Sequence, residues 1–127
     1  MILLDENVLA SQRQLLRSWH IPVRQIGREV GRKGLQDQEI LSLLHRLSSP
    51  TFFTRDRGFY NRKICHKNYC IVYLDLRKEE VAVFVRRVLR HPRFNTKRKR
   101  MGIVMHVSHT GIRWWEVGAE QEQFISW

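Results

Sequence analysis

Met1-Ile2-Leu3-Leu4-Asp5-Glu6-Asn7 opens the chain with four apolar residues that run directly into two acids. A run this short and apolar, closed by polar residues, reads as a buried strand. The segment from about Glu6 to Trp19 then spaces Val8, Leu9, Leu15, Leu16 and Trp19 as one helical face would. Strand followed by helix is the first half of a βαβ unit, and the rest of the chain continues the alternation. Ile21, Val23 and Ile26 around Pro22 suggest a second strand, followed by a basic, Gly-rich loop from Gly27 to Gly34. Asp37 precedes a leucine-rich segment, Ile40 to Leu47, that reads as a helix starting at an Asp cap. Thr51-Phe52-Phe53-Thr54 and Cys70-Ile71-Val72-Tyr73-Leu74 are compact β-prone runs. Between the latter and His91-Pro92, the residues Val81, Phe84, Val85, Val88 and Leu89 form the clearest helical stripe.

These alternations predict an α/β fold with a central, mostly parallel sheet of about four strands flanked by helices. Gly102 to Val107 and Ile112 to Val117, joined by Ser108-His109-Thr110-Gly111, read as an added C-terminal β-hairpin with a four-residue connection. The whole of residues 1–127 reads as one domain, without linker, repeat or low-complexity segment. The apolar opening is too short for a signal peptide and no run approaches membrane-spanning length, so a cytoplasmic protein with no membrane partner is expected. Cys65 and Cys70 are expected as free thiols, since two cysteines do not make a disulfide scaffold. With His66 they form half of a zinc pattern, and no second half follows.

Twenty-three Lys and Arg against twelve Asp and Glu leave a net charge of +11. That field draws polyanions, nucleic acid above all, although an acidic protein would feel it too. From Arg86 to Arg100 there are eight basic residues and no acid. Arg86, Arg90, Lys97, Arg98, Lys99 and Arg100 are therefore candidate phosphate contacts, the alternative being a solvated helix face and turn. Arg32 and Lys33 extend the basic character toward the acids. Trp114, Trp115, Phe124 and Trp127 could stack bases, but cover for the sheet or an oligomer contact accounts for them better.

The acids carry the chemistry. Asp5 ends the first strand and Asp56 lies just beyond the third, so in adjacent parallel strands about 4.8 Å apart their carboxylates emerge at one edge. Asp37 can reach that edge from the intervening helix. Carboxylates crowded in this way raise one another's pKa or recruit a divalent cation, and Mg²⁺ or Mn²⁺ suits an all-oxygen site. Each of the three Asp could instead cap a helix. Glu6 and Glu39 are further candidates for ligand or base, with the helix dipole as the competing account. Asn7 could orient water or phosphate. Arg55 and Arg57 flank Asp56 and could clamp a phosphate or balance the acids.

Leu3-Leu4-Asp5-Glu6-Asn7, Asp37-Gln38-Glu39-Ile40-Leu41 and Thr54-Arg55-Asp56-Arg57-Gly58-Phe59 together resemble the PIN-domain pattern. The likeness is to its small bacterial PIN-like branch, which often begins L-L-D-E-N and carries T-R-D-x-x-F, and it covers roughly residues 2 to 75. The resemblance implies a three-layer PIN-like fold and a metal-dependent endoribonuclease, common as the toxin of a toxin-antitoxin pair. By it, Asp5, Asp37 and Asp56 correspond to family acids that hold Mg²⁺ or Mn²⁺. It also implies RNA more than DNA as the substrate, an acidic antitoxin as a possible partner, and pairing into homodimers. Longer members carry one more helical acid that this chain lacks, which keeps open the alternative of a non-catalytic nucleic-acid-binding or regulatory module.

Overall fold

A computed structural model describes residues Met1–Trp127. Its elements run β1 (Ile2–Leu4), α1 (Ala10–Ser18), β2 (Val23–Gln25), α2 (Asp37–Arg46), β3 (Thr51–Thr54), β4 (Cys70–Leu74), α3 (Val81–Arg90), α4 (Lys97–Arg100), β5 (Ile103–Ser108), β6 (Gly111–Glu116) and β7 (Gln123–Ser126). All seven strands join one sheet in the order β2-β1-β3-β4-β5-β6-β7. The first five in that order are parallel and the last two pairings antiparallel.

The α/β expectation holds, but the sheet is larger than the four strands expected. The first hairpin strand, β5, pairs in parallel with β4 and so extends the parallel sheet. The hairpin turn is tighter than expected, because Ser108 pairs with Gly111 and leaves only His109 and Thr110 between them. The seventh strand escaped the reading because Gln123, Phe124, Ile125 and Ser126 do not alternate clearly. Gly111 is required for its docking: a Cβ there would stand 2.2 Å from the Ile125 carbonyl oxygen.

Side chains alternate between two cores, one on each sheet face. Leu4, Phe53, Val72 and Met105 join Leu16 of α1 and Val81, Phe84, Val85 and Val88 of α3. Leu3, Phe52, Ile71 and Val104 join Ile40, Leu43 and Leu44 of α2. Thus α1 and α2 lie on opposite faces, and the winding reverses beside β1, which sits between β2 and β3. That reversal opens a crevice at the carboxyl ends of the strands. No helix is long and apolar enough to cross a membrane.

Two helix starts differ from expectation. The first helix begins at Ala10 with Leu9 as its N-cap, and residues 5–8 form a turn. The second is capped by Gln36, whose N–H donates to Glu39 Oε1 at 3.0 Å, so Asp37 is the first helical residue and not the cap. Trp114 is buried in the core, Trp127 donates from Nε1 to the Ser108 carbonyl, and Phe124 stays exposed. Both cysteines are free, and burial pushes the Cys70 thiol up to about 12.

Candidate acidic site

At the carboxyl end of β1 the Asp5 N–H donates to the Phe53 carbonyl at 3.0 Å, tying the residue to β3. The buried Gln25 of β2 fixes the turn from the other side, donating from Nε2 to the carbonyls of Asp5 at 3.0 Å and Val8 at 2.9 Å. The Asp5 carboxylate caps no helix. Its Oδ2 accepts from the Thr54 hydroxyl at 2.6 Å, and Oδ1 from the Glu6 N–H at 2.8 Å. The same Thr54 oxygen accepts the Asp56 N–H at 3.0 Å. Asp56 does act as a cap, for the single 3-10 turn Arg57–Phe59, through Oδ1 and the Gly58 N–H at 2.9 Å.

Asp37 reaches the same place from α2. A Cβ on Gly58 would lie 3.2 Å from Asp56 Oδ1 and 3.7 Å from Asp37 Oδ2, so glycine there lets both carboxylates approach the turn. Asp5, Glu6, Asn7, Asp37, Arg55 and Asp56 all line one cleft of about 360 Å³. The three aspartates expected to meet are thus brought to one crevice.

No Lys, Arg or His lies within 4.0 Å of the Asp5, Asp37 or Asp56 carboxylates, whereas Glu29, Glu39, Asp75, Glu80 and Glu122 each have such a partner. In a chain with eleven surplus positive charges, the cleft acids are left unneutralised. Burial raises the Asp5 pKa above the usual range, as do the charges of Glu6 and Asp56, against the opposing hydrogen bonds from Thr54 and the Glu6 amide. Burial and then the Asp56 charge raise that of Asp37. Arg55 lines the cleft, but its Nε donates to the Leu76 carbonyl at 2.9 Å, which anchors the guanidinium without an ion pair.

Glu6 accepts the Gly34 N–H at 2.9 Å and so clips the basic loop over the cleft, while Asn7 is exposed at its wall. Glu39 is placed elsewhere: besides its capping bond it pairs with Arg32 at 2.9 Å and faces a separate groove with Arg46. Arg57 and Lys33 are exposed, Arg32 is committed to Glu39, and Arg86 lies over the Trp19 ring at 3.7 Å on the α1 and α3 face. Arg90, Lys97, Arg98 and Lys99 are exposed. Arg100 corrects the expectation of a surface phosphate contact. It is 6% exposed and donates to Thr51 Oγ1 at 3.0 Å, at the start of β3 and hence at the sheet edge opposite the acids.

Thr54 and Gln25 were not legible as site residues, although a Thr two residues before an Asp at a strand end is a local signal for side-chain to backbone bonding. His106 stands outside the cleft, its Nε2 lying 3.0 Å from Asp75 Oδ2 with the Tyr60 and Tyr73 rings beside it. Strand register carries a row from Thr54 through Tyr73, His106 and Arg113 to Phe124 across the sheet.

As placed, no three His, Cys, Asp or Glu side chains converge closely enough to ligate one metal ion directly. The donor set is nonetheless all oxygen and without a countercharge, the chemistry that suits a hard divalent cation keeping several of its waters. Comparison with family models, curated proteins and solved structures found no match to this chain.

Proposed function

We propose that this chain is a PIN-like, divalent-metal-dependent nuclease that hydrolyses phosphodiester bonds, RNA before DNA, in the acidic crevice beside β1. One observation carries the reading: Asp5, Asp37 and Asp56 line a single cleft at the winding reversal and have no cationic side chain to neutralise them. Helices on both sheet faces support the three-layer PIN-like arrangement. Asp5, Asp37 and Asp56 would hold Mg²⁺ or Mn²⁺, and Glu6, at the same cleft, would accept a proton from water. The cation, when bound, supplies an acidic water and offsets charge on the phosphate. Thr54 orients Asp5, Gln25 fixes the turn that carries it, and Arg55 and Arg57 draw the substrate phosphates. The charge of +11 also favours an acidic partner protein of the antitoxin kind, and the exposed Phe124 offers an apolar contact for a second copy.

The test is cleavage of a labelled single-stranded RNA with and without Mn²⁺, comparing the parent with Asp5→Asn. Metal-dependent cleavage lost in the variant supports the nuclease; equal cleavage by both removes the acids from the mechanism. The separation of the three carboxylates beyond direct ligation of one ion favours a second reading, a nucleic-acid-binding module without catalysis. That module would bind RNA equally in chelator and in Mn²⁺ and cleave in neither.

A further inference from the structure

A cavity larger than the acidic cleft lies at the opposite end of the same strands. It measures about 850 Å³ and is lined by Arg17, His20, Arg24 and Arg100 together with Ile21 and Val23. We propose that this cavity is a binding site for a phosphate monoester, anchored by the guanidinium of Arg100.

The anchor is the most informative residue. Arg100 is 6% exposed, yet no carboxylate lies within 4.0 Å of it. Its Nε donates to Thr51 Oγ1 at 3.0 Å and its Nη1 to the Phe94 carbonyl at 2.9 Å, both neutral acceptors. Nη2 has no acceptor in the fold, and Trp114 Nε1 is the only sealed side-chain polar atom without a partner. Nη2 therefore keeps an accessible face, and Arg100 lines the cavity. A guanidinium cannot shed its proton, so its burial without a countercharge is costly, and an anion seated in the cavity offsets that cost.

The surroundings specify the anion. Arg24 is exposed on β2 and has no acidic partner, and Arg17 is held by its Nη2 to the Val23 carbonyl at 3.2 Å. The only acid on the wall, Glu29, is engaged by Arg13 at 2.5 Å, by the Gln25 N–H at 3.0 Å and by Arg17 at 4.0 Å, which leaves Arg24 and Arg100 without an acidic partner. Several cations around one fork suit a doubly charged group better than a carboxylate, and a phosphate monoester carries nearly two charges and three acceptor oxygens at neutral pH. Ile2, Ile21, Pro22 and Val23 offer an apolar wall to the body of the ester. The volume is that of an ordinary small-ligand site.

The ester could belong to a free nucleotide or to the 5′ end of a nucleic acid strand, and the phosphate chemistry is the same. The parent and Arg24→Glu, an exposed change that leaves the buried Arg100 bonds intact, are titrated by thermal shift and by the Nε–H resonance of Arg100. The probes are inorganic phosphate, a nucleoside 5′-monophosphate, and one oligonucleotide with either a 5′-phosphate or a 5′-hydroxyl. Saturable stabilisation by the monophosphate or by the 5′-phosphorylated strand, weakened roughly tenfold or more in Arg24→Glu, supports the site. Preference between those two probes tells free nucleotide from strand end. No saturable response to either, or equal affinity of parent and variant, overturns it.

Discussion

The Thr54 hydroxyl donates to Asp5 Oδ2 at 2.6 Å and accepts the Asp56 N–H at 3.0 Å, so one side chain at the end of β3 holds two of the three cleft aspartates. Thr54 is itself fully buried, which leaves the hydroxyl no water to turn to. Thr54→Val keeps the shape and removes both bonds. It is expected to lower stability by about 1–3 kcal/mol in urea denaturation and to weaken Mn²⁺ binding by about 10–100-fold. Thr54→Ser restores both. Unchanged Mn²⁺ affinity in the valine variant would separate Thr54 from the site.

Asp56→Asn is expected to keep the fold and lose metal-dependent RNA cleavage. Asn can still accept the Gly58 N–H as a cap, so stability changes by less than about 1 kcal/mol. Only the charge is lost. Circular dichroism melts and a cleavage gel on the same preparation check both halves.

The cleft acids also set a pH dependence. Asp5 and Asp37 hold their protons more tightly in the fold than in the unfolded chain, chiefly through burial. Their contribution to stability is present below the ordinary value of 3.8 and is lost as pH rises through the raised folded values. A divalent cation opposes that loss, since it binds the deprotonated carboxylates. The rise in melting temperature caused by Mn²⁺ is expected to be small near about pH 4 and to grow by about pH 7; a rise independent of pH would place the ion elsewhere.

Glu29 shows the opposite sign. Its bond with Arg13 holds the carboxyl down at about 2, from an ordinary 4.5. The stability it contributes is present above 4.5 and fades as pH falls toward about 2. Glu29→Gln is expected to cost about 1–2 kcal/mol near neutrality, discounted for the exposure of Glu29. The parent and variant should then converge in acid, as measured by urea midpoints across pH.

Gly111→Ala is expected to dislodge β7. The added Cβ meets the Ile125 carbonyl oxygen at 2.2 Å, and backbone cannot swing aside as a side chain can. A loss of about 1–3 kcal/mol follows, with faster amide exchange confined to residues 123–126.

The parallel half of the fold was legible because its strands are short, apolar and closed by polar residues, as at Leu4-Asp5 and Leu74-Asp75. The meeting of Asp5 with Asp56 was legible for the same reason: each lies just past a strand end, and adjacent parallel strands share an edge. The position of Glu39 was not legible, because its spacing from Asp37 says nothing of whether it turns back to the Gln36 amide. Nor was Arg100, which looks identical in sequence to its exposed neighbours Lys97, Arg98 and Lys99; only the packing of Phe94 and Thr51 draws it inside. Gln25 escaped notice because a polar residue in a strand ordinarily marks the solvent face, and here it is buried to hold a turn.

The interior position of β1 has a consequence for synthesis. β1 is made before both strands that flank it, and Asp5 is held through Phe53 and Thr54. A nascent chain therefore carries no acidic crevice until β3 and Asp56 have left the ribosome, and any premature product that stops short of them lacks the crevice altogether.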